Sequence, residues 1–136
     1  MKSPGWRKAS ASSHSRIFGI CIALLFLFFS AAEAQVAKKL QILLPGMTPA
    51  PNTGNGYNGS PIDQTSGVPF DVIVNAVDNN WNIVPVNDQV SLTSSDQLAE
   101  LPLPVNLVNG STTLSVILNS NGLYSITAHD DSKPSV

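Results

Sequence analysis

Cysteine occurs once, at Cys21, and arginine does not recur after Arg16. Cys21 lies inside the apolar run of residues 17–29, IFGICIALLFLFF, which carries no charge. Lys2, Arg7, Lys8 and Arg16 precede that run without an acid among them, and Ala32-Glu33-Ala34 and Gln35 follow it. A basic stretch, a short apolar stretch and small residues in an A-x-A arrangement describe a secretory signal peptide. The run is shorter than the roughly 20 residues that span a bilayer. The expected cut falls between Ala34 and Gln35, with residues 1–34 removed and 35–136 kept, and no stable membrane span remains after cleavage.

Removing that segment leaves no cysteine and only three bases, Lys38, Lys39 and Lys133, against eight acids, a net charge of 3 − 8 = −5. Thiol catalysis, disulfide scaffolding and cysteine-ligated metal sites are thereby excluded from the remaining chain. An acidic chain without arginine is also a poor ligand for a nucleic-acid backbone. Helical periodicity is missing as well: no 3.6-residue pattern persists for ten residues anywhere in 35–136.

Alternation is what the chain has. Leu40, Ile42 and Leu44 share one face of a first strand, placed at 35–44 and ended by Pro45-Gly46. The stretch 45–66 is rich in proline, glycine and asparagine and reads as a long loop, a flexible tether for the first strand. The rest of the domain is assigned to 67–136. Phe70, Val72, Val74 and Ala76 form an inward face, with Asp71, Ile73, Asn75 and Val77 outward. Asp78-Asn79-Asn80-Trp81-Asn82 is a polar turn, and Ile83–Val86 resumes extended structure beside Pro85. Val90 and Leu92 continue the alternation, and Pro102 and Pro104 exclude a helix from 98–107. Asn109-Gly110 is a hairpin turn. Thr112, Leu114, Val116 and Leu118, then Tyr124, Ile126 and Ala128, supply the last two strands. Six to seven short strands separated by turn chemistry predict an all-β fold closed as a sandwich.

Three stretches together resemble bacterial immunoglobulin-like modules of secreted and surface proteins, the invasin/intimin-like group among them. They are residues 67–78, GVPFDVIVNAVD, residues 90–96, VSLTSSD, and residues 122–128, GLYSITA. The resemblance implies a non-catalytic, secreted or cell-surface Ig-like β-sandwich with a structural, spacer or adhesive role, the N-terminal part of a larger extracellular protein. Its partners would be neighbouring extracellular domains or another protein. The alternative is a carbohydrate- or protein-binding accessory module of a secreted enzyme, in which Tyr57 and Trp81 make aromatic contacts. The family carries no common catalytic residues, so the chain is expected to be no enzyme and to hold no cofactor.

In such modules a further strand follows the one ending near Ala128, whereas only His129–Val136 remains here, too short and too interrupted by Pro134. The expected sandwich therefore lacks its last strand and leaves an edge unpaired. Three explanations stand open: a chain that continues in a longer protein, the segment 37–44 swinging across to fill the edge, or a strand donated by a partner. Tyr124 stands where a hydroxyl bonds back to upstream backbone at a sandwich corner. His129, beside Asp130 and Asp131, lacks a positioned serine and reads as solvated. Asp78, Asn80, Asp130 and Asp131 fall at one end of an Ig-like topology, which leaves Ca²⁺ binding as an open question with no site residue assigned.

Overall fold

The computed structural model describes residues 36–133; the expected signal peptide lies outside the described residues. No helix occurs among the described residues, which hold eight strands. They are β1 (Lys39–Leu43), β2 (Met47–Pro49), β3 (Tyr57–Gly59), β4 (Phe70–Val77), β5 (Gln89–Ser94), β6 (Val105–Asn106), β7 (Ser111–Val116) and β8 (Ile126–Asp130). All pairings are antiparallel, in one sheet ordered β1-β4-β7, a second ordered β6-β5-β8 and the small hairpin β2-β3.

The period-two face of β4 decides where the core lies. Phe70, Val72, Val74 and Ala76 are buried and meet Leu114 and Val116 of β7 and Val90 and Leu92 of β5 in one cluster. Residues from both three-stranded sheets thus share one core, the arrangement of a β-sandwich. Leu107 and Val84 reach the same core from connecting segments. Without a disulfide, this apolar burial supplies the main favourable term of folding.

The other face of the first sheet departs from the expected pattern. Gln41, Leu43, Asn75 and Val77 are all buried, although they point away from the core. Gln41 is covered by the segment expected to be a tether, and Val77 is bridged by Ile83. Residues 45–61 are not structureless: β2 and β3 pair from Met47↔Gly59 to Pro49↔Tyr57. Between these strands Ala50 donates its N–H to the Gly56 carbonyl at 2.7 Å, and Gly56 donates to Thr53 Oγ1 at 3.0 Å. The turn is tied to the sheet by side chains rather than by a ladder. Gln41 Nε2 donates to the same Gly56 carbonyl at 2.7 Å, Asn75 Nδ2 donates to Gln41 Oε1 at 3.0 Å, and Ser111 Oγ donates to Asn75 Oδ1 at 2.7 Å. Each buried amide in this chain has a partner, so the network carries no desolvation penalty for an orphaned group.

Other boundaries also move. Only Ile83 of 83–86 is paired, by an isolated bridge to Val77. Val84 donates to Ala76 and Gly110 donates to Val86 instead, so this segment is extended but forms no strand of its own. Asn109 and Gly110 have φ of 52° and 83°, as a tight turn of the mirror-image type requires. The strands beside that turn belong to opposite sheets, however, because β6 pairs with β5 and β7 with β4. A single bridge, Val108↔Ser111, is all the hairpin there is. The last strand begins later than Tyr124 and runs through His129 to Asp130.

Candidate binding groove

Strand order fixes two edges on one flank of the sandwich, β1 and β8. β1 pairs with β4 only, so it does not swing across to β8. The two edge strands approach each other without a backbone hydrogen bond between them. β8 is paired on its other side with β5, in the register Ile126↔Ser94 to Asp130↔Val90. Ser95 donates to the Ser125 carbonyl and Asp131 donates to that of Gln89, which aims residues 125, 127, 129 and 131 at β5. The backbone N–H and C=O of Ile126, Ala128 and Asp130 therefore point away from β5; Asp130 is buried, so the open stretch of this edge is at Ile126 and Ala128. Core-facing residues on this flank are only half-buried: Leu40, Ile42 and Leu44 on the β1 side, Ile126 and Ala128 on β8.

An open groove of about 660 Å³ begins where β8 begins. Leu44, Phe70, Leu118, Tyr124 and Ile126 line it, and Ile62 and Leu123 stand at 59% and 100% exposure around it. Asp63 is the only charged residue in the lining. The Tyr124 hydroxyl does turn back to upstream backbone, donating to the Asn121 carbonyl at 3.4 Å, a long and weak bond. None of these apolar groove residues was singled out as a site from sequence. Their signal is present in the half-exposed alternation of β1 and β8, but it acquires meaning only when the sheet order is known.

Polar side chains are engaged in holding loops. Asp96, 4% exposed, accepts N–H groups from Leu98, Asn119 and Ser120 at 2.9–3.1 Å and the Ser120 hydroxyl at 2.8 Å. Burial opposes its charge, yet these donors outweigh it and hold the carboxyl below the ordinary value of 3.8. This one carboxylate joins the loop after β5 to the loop before β8, and so forms the base on which the groove stands.

At the opposite end Asp78 closes its own turn, accepting from Asn82 N–H at 3.0 Å and Asn80 N–H at 2.8 Å. The Asn82 N–H, foremost, and the Asn80 N–H hold this carboxyl below its ordinary value too. Asp130 accepts from Ser132 and Lys133 N–H, both at 2.9 Å, and Asp131 accepts from Ser91 Oγ at 2.9 Å. Lys133 Nζ reaches Asp88 at 2.9 Å. Asp78, Asp130 and Asp131 are thus each committed locally, and no group of three or more His, Asp or Glu converges to hold a metal ion among the described residues. His129 is exposed on β8 with Nε2 2.9 Å from Thr93 Oγ1.

Trp81 is similarly engaged. Its φ of 67° is an outlier for a bulky residue, and the Lys39 ammonium stands 3.3 Å over its ring. Gly56 packs against the same indole so closely that a Cβ there would overlap Trp81 Cγ, Cδ2 and Cε3. Trp81 pins the loop 50–56 to the sheet, and the ring face a sugar would need is occupied by the chain itself. No family model, curated protein or solved structure matches this chain.

Proposed function

We propose that the chain is an exported, non-catalytic Ig-like module that binds or spaces other proteins outside the cell. One observation carries this reading: on a sandwich whose buried side-chain polar groups all have partners among the described residues, an apolar groove stands open beside the unpaired edge of β8. Such a surface recognises apolar side chains and backbone, and it offers no arrangement of base, nucleophile and oxyanion donors. Stretches 67–78, 90–96 and 122–128 add the likeness to adhesive and spacer modules, and the leader-like residues 1–34 add export.

Within this reading a protein-binding accessory module is favoured over a carbohydrate-binding one, because Lys39 and Gly56 occupy the indole of Trp81. Expression of all 136 residues in a secreting host tests the export component. The expected product is found outside the cell and begins at Gln35. An uncut chain retained in the cytoplasm refutes it. Turnover of ester, peptide or glycoside substrates by the purified protein refutes the non-catalytic component.

A further inference from the structure

Edges of sheets are ordinarily protected by lysine, proline or a bulge. β8, ITAHD, has no lysine, no proline and an uninterrupted register against β5. On the other side of the flank β1 begins with Lys39, preceded by Lys38. On this flank the edge without such protection is therefore the one that also carries the groove, and its outward backbone groups lead into it through Ile126.

We propose that β8 accepts, as an added antiparallel strand, an extended segment of a separate protein with large apolar residues at alternate positions and a basic residue at its leading end. This deepens the binding role proposed above by naming the chemistry of its partner. Hydrogen-bonded cross-strand residues share a face, so the partner residues that bond Ile126 and Ala128 also point inward. There they meet Leu40 and Ile42 of β1 and Leu44 just after it, all half-buried. One more step along the strand carries the next side chain into the groove at Phe70 and Tyr124. At the other end the partner begins beside Asp131, exposed and acidic although it accepts from Ser91 Oγ, so a basic leading residue is complementary there; Asp130 is buried, with its carboxylate held by Ser132 and Lys133 N–H.

A second copy of this chain fits less well. Paired antiparallel about Ala128, a second β8 presents Ile126, Ala128 and Asp130 inward, a single large apolar residue against a groove of about 660 Å³. It would also bring another acidic chain to an acidic edge.

The test uses a blocked peptide, acetyl-Lys-Thr-Val-Thr-Ile-Thr-Phe-amide, added to the purified protein, with amide hydrogen exchange and methyl resonances as readouts. Binding is expected to slow exchange at Ile126 and Ala128 by about tenfold or more, as new backbone hydrogen bonds require. Methyl signals of Leu40, Ile42 and Leu44 shift with it. A peptide of the same composition with consecutive apolar residues, and one N-methylated at valine, are expected not to bind. Leu123→Lys, at a fully exposed position beside the groove, keeps the fold and weakens binding; Ala128→Pro removes an outward N–H that β5 does not use and abolishes it.

Equal binding by the scrambled or N-methylated peptide would show mere apolar adhesion and overturn the proposal. So would a free protein that is already dimeric with these amides protected, absence of protection at millimolar peptide, or unchanged binding by Leu123→Lys. None of these outcomes depends on export or on cleavage at Gln35, so this proposal and the export reading fail separately.

Discussion

Gly54 and Gly56 lie two positions apart in the segment that reads as a tether, and their substitution separates a tether from a cover. At Gly54 an added Cβ meets nothing within 4 Å, and the backbone is not left-handed. At Gly56 φ is 81° and a Cβ runs into the indole of Trp81. Alanine at Gly56 therefore incurs about 1–2 kcal/mol for the left-handed backbone. Forcing the ring aside adds about 1–3 kcal/mol of overpacking. The sum, roughly 2–5 kcal/mol, is a large part of the 5–15 kcal/mol that ordinarily separates folded from unfolded domains. For a domain of this size it lowers Tm by roughly 10–30 °C. Gly54→Ala instead restricts the unfolded chain and is worth about 0.4–1 kcal/mol of added stability. Thermal unfolding followed by circular dichroism reads both. Trp81 fluorescence reports locally, since the other tryptophan, Trp6, lies in the expected leader. A Gly56→Ala protein that melts within 2 °C of Gly54→Ala, about the precision at which a fraction of a kcal/mol is seen, would refute the account of 45–61 as a cover held by Trp81 and Gln41.

Three further outcomes follow from the same contacts. Asp96 and Asp78 have folded pKa values below their ordinary 3.8, so their stabilisation is present above that value and is lost as pH falls towards the folded value. Urea midpoints should fall below about pH 4, and Asp96→Asn, which replaces an acceptor oxygen with a donor, should lower the midpoint at pH 7 and flatten the acid limb; an unchanged acid limb would remove Asp96 from this role. Leu107→Ala, at 1% exposure, should cost about 2–5 kcal/mol in urea unfolding, whereas Leu103→Ala, at 84%, should stay within about 0.5 kcal/mol. Lys39→Gln removes the cation over Trp81 and should cost about 0.5–2 kcal/mol with a change in tryptophan emission; an unaltered spectrum would argue that the pair does not persist in solution.

Much of the fold was legible because β4, β5 and β7 bury every second residue, and period two is visible without knowing the partner strand. Segment 45–61 was not legible for a matching reason. Its strands have three residues each, too few for alternation to register. Its anchors, Gln41, Asn75 and Trp81, come from other parts of the chain and are polar or aromatic residues of no local pattern. Asn75 reads as solvent-facing because asparagine usually is; only the Gln41 amide and the loop above it make burial affordable. The groove was hidden for a third reason. Leu44 and Ile126 look like ordinary core residues in sequence, and their incomplete burial follows from which strands stand at the edges.

The two outer surfaces near β1 face the same physical problem and meet it differently. On the far side of the first sheet, Gln41, Leu43 and Val77 are buried, and the chain's own residues 45–61 close over Gln41, fixed by an amide network and a strained tryptophan. On the flank, Leu40, Ile42, Ile126 and Ala128 stay half-exposed, and the backbone of Ile126 and Ala128 is unpaired on its outer side. The chain possesses the means to seal such a surface and uses them on one side only. Asp96 adds to this contrast: by fixing the loops at the start of β8 it keeps the groove open in shape while the strand beside it stays unprotected. A frayed edge would need no such buttress. Rigid walls around an apolar groove lower the ordering cost of whatever binds there, which is the physical advantage of a preformed strand acceptor.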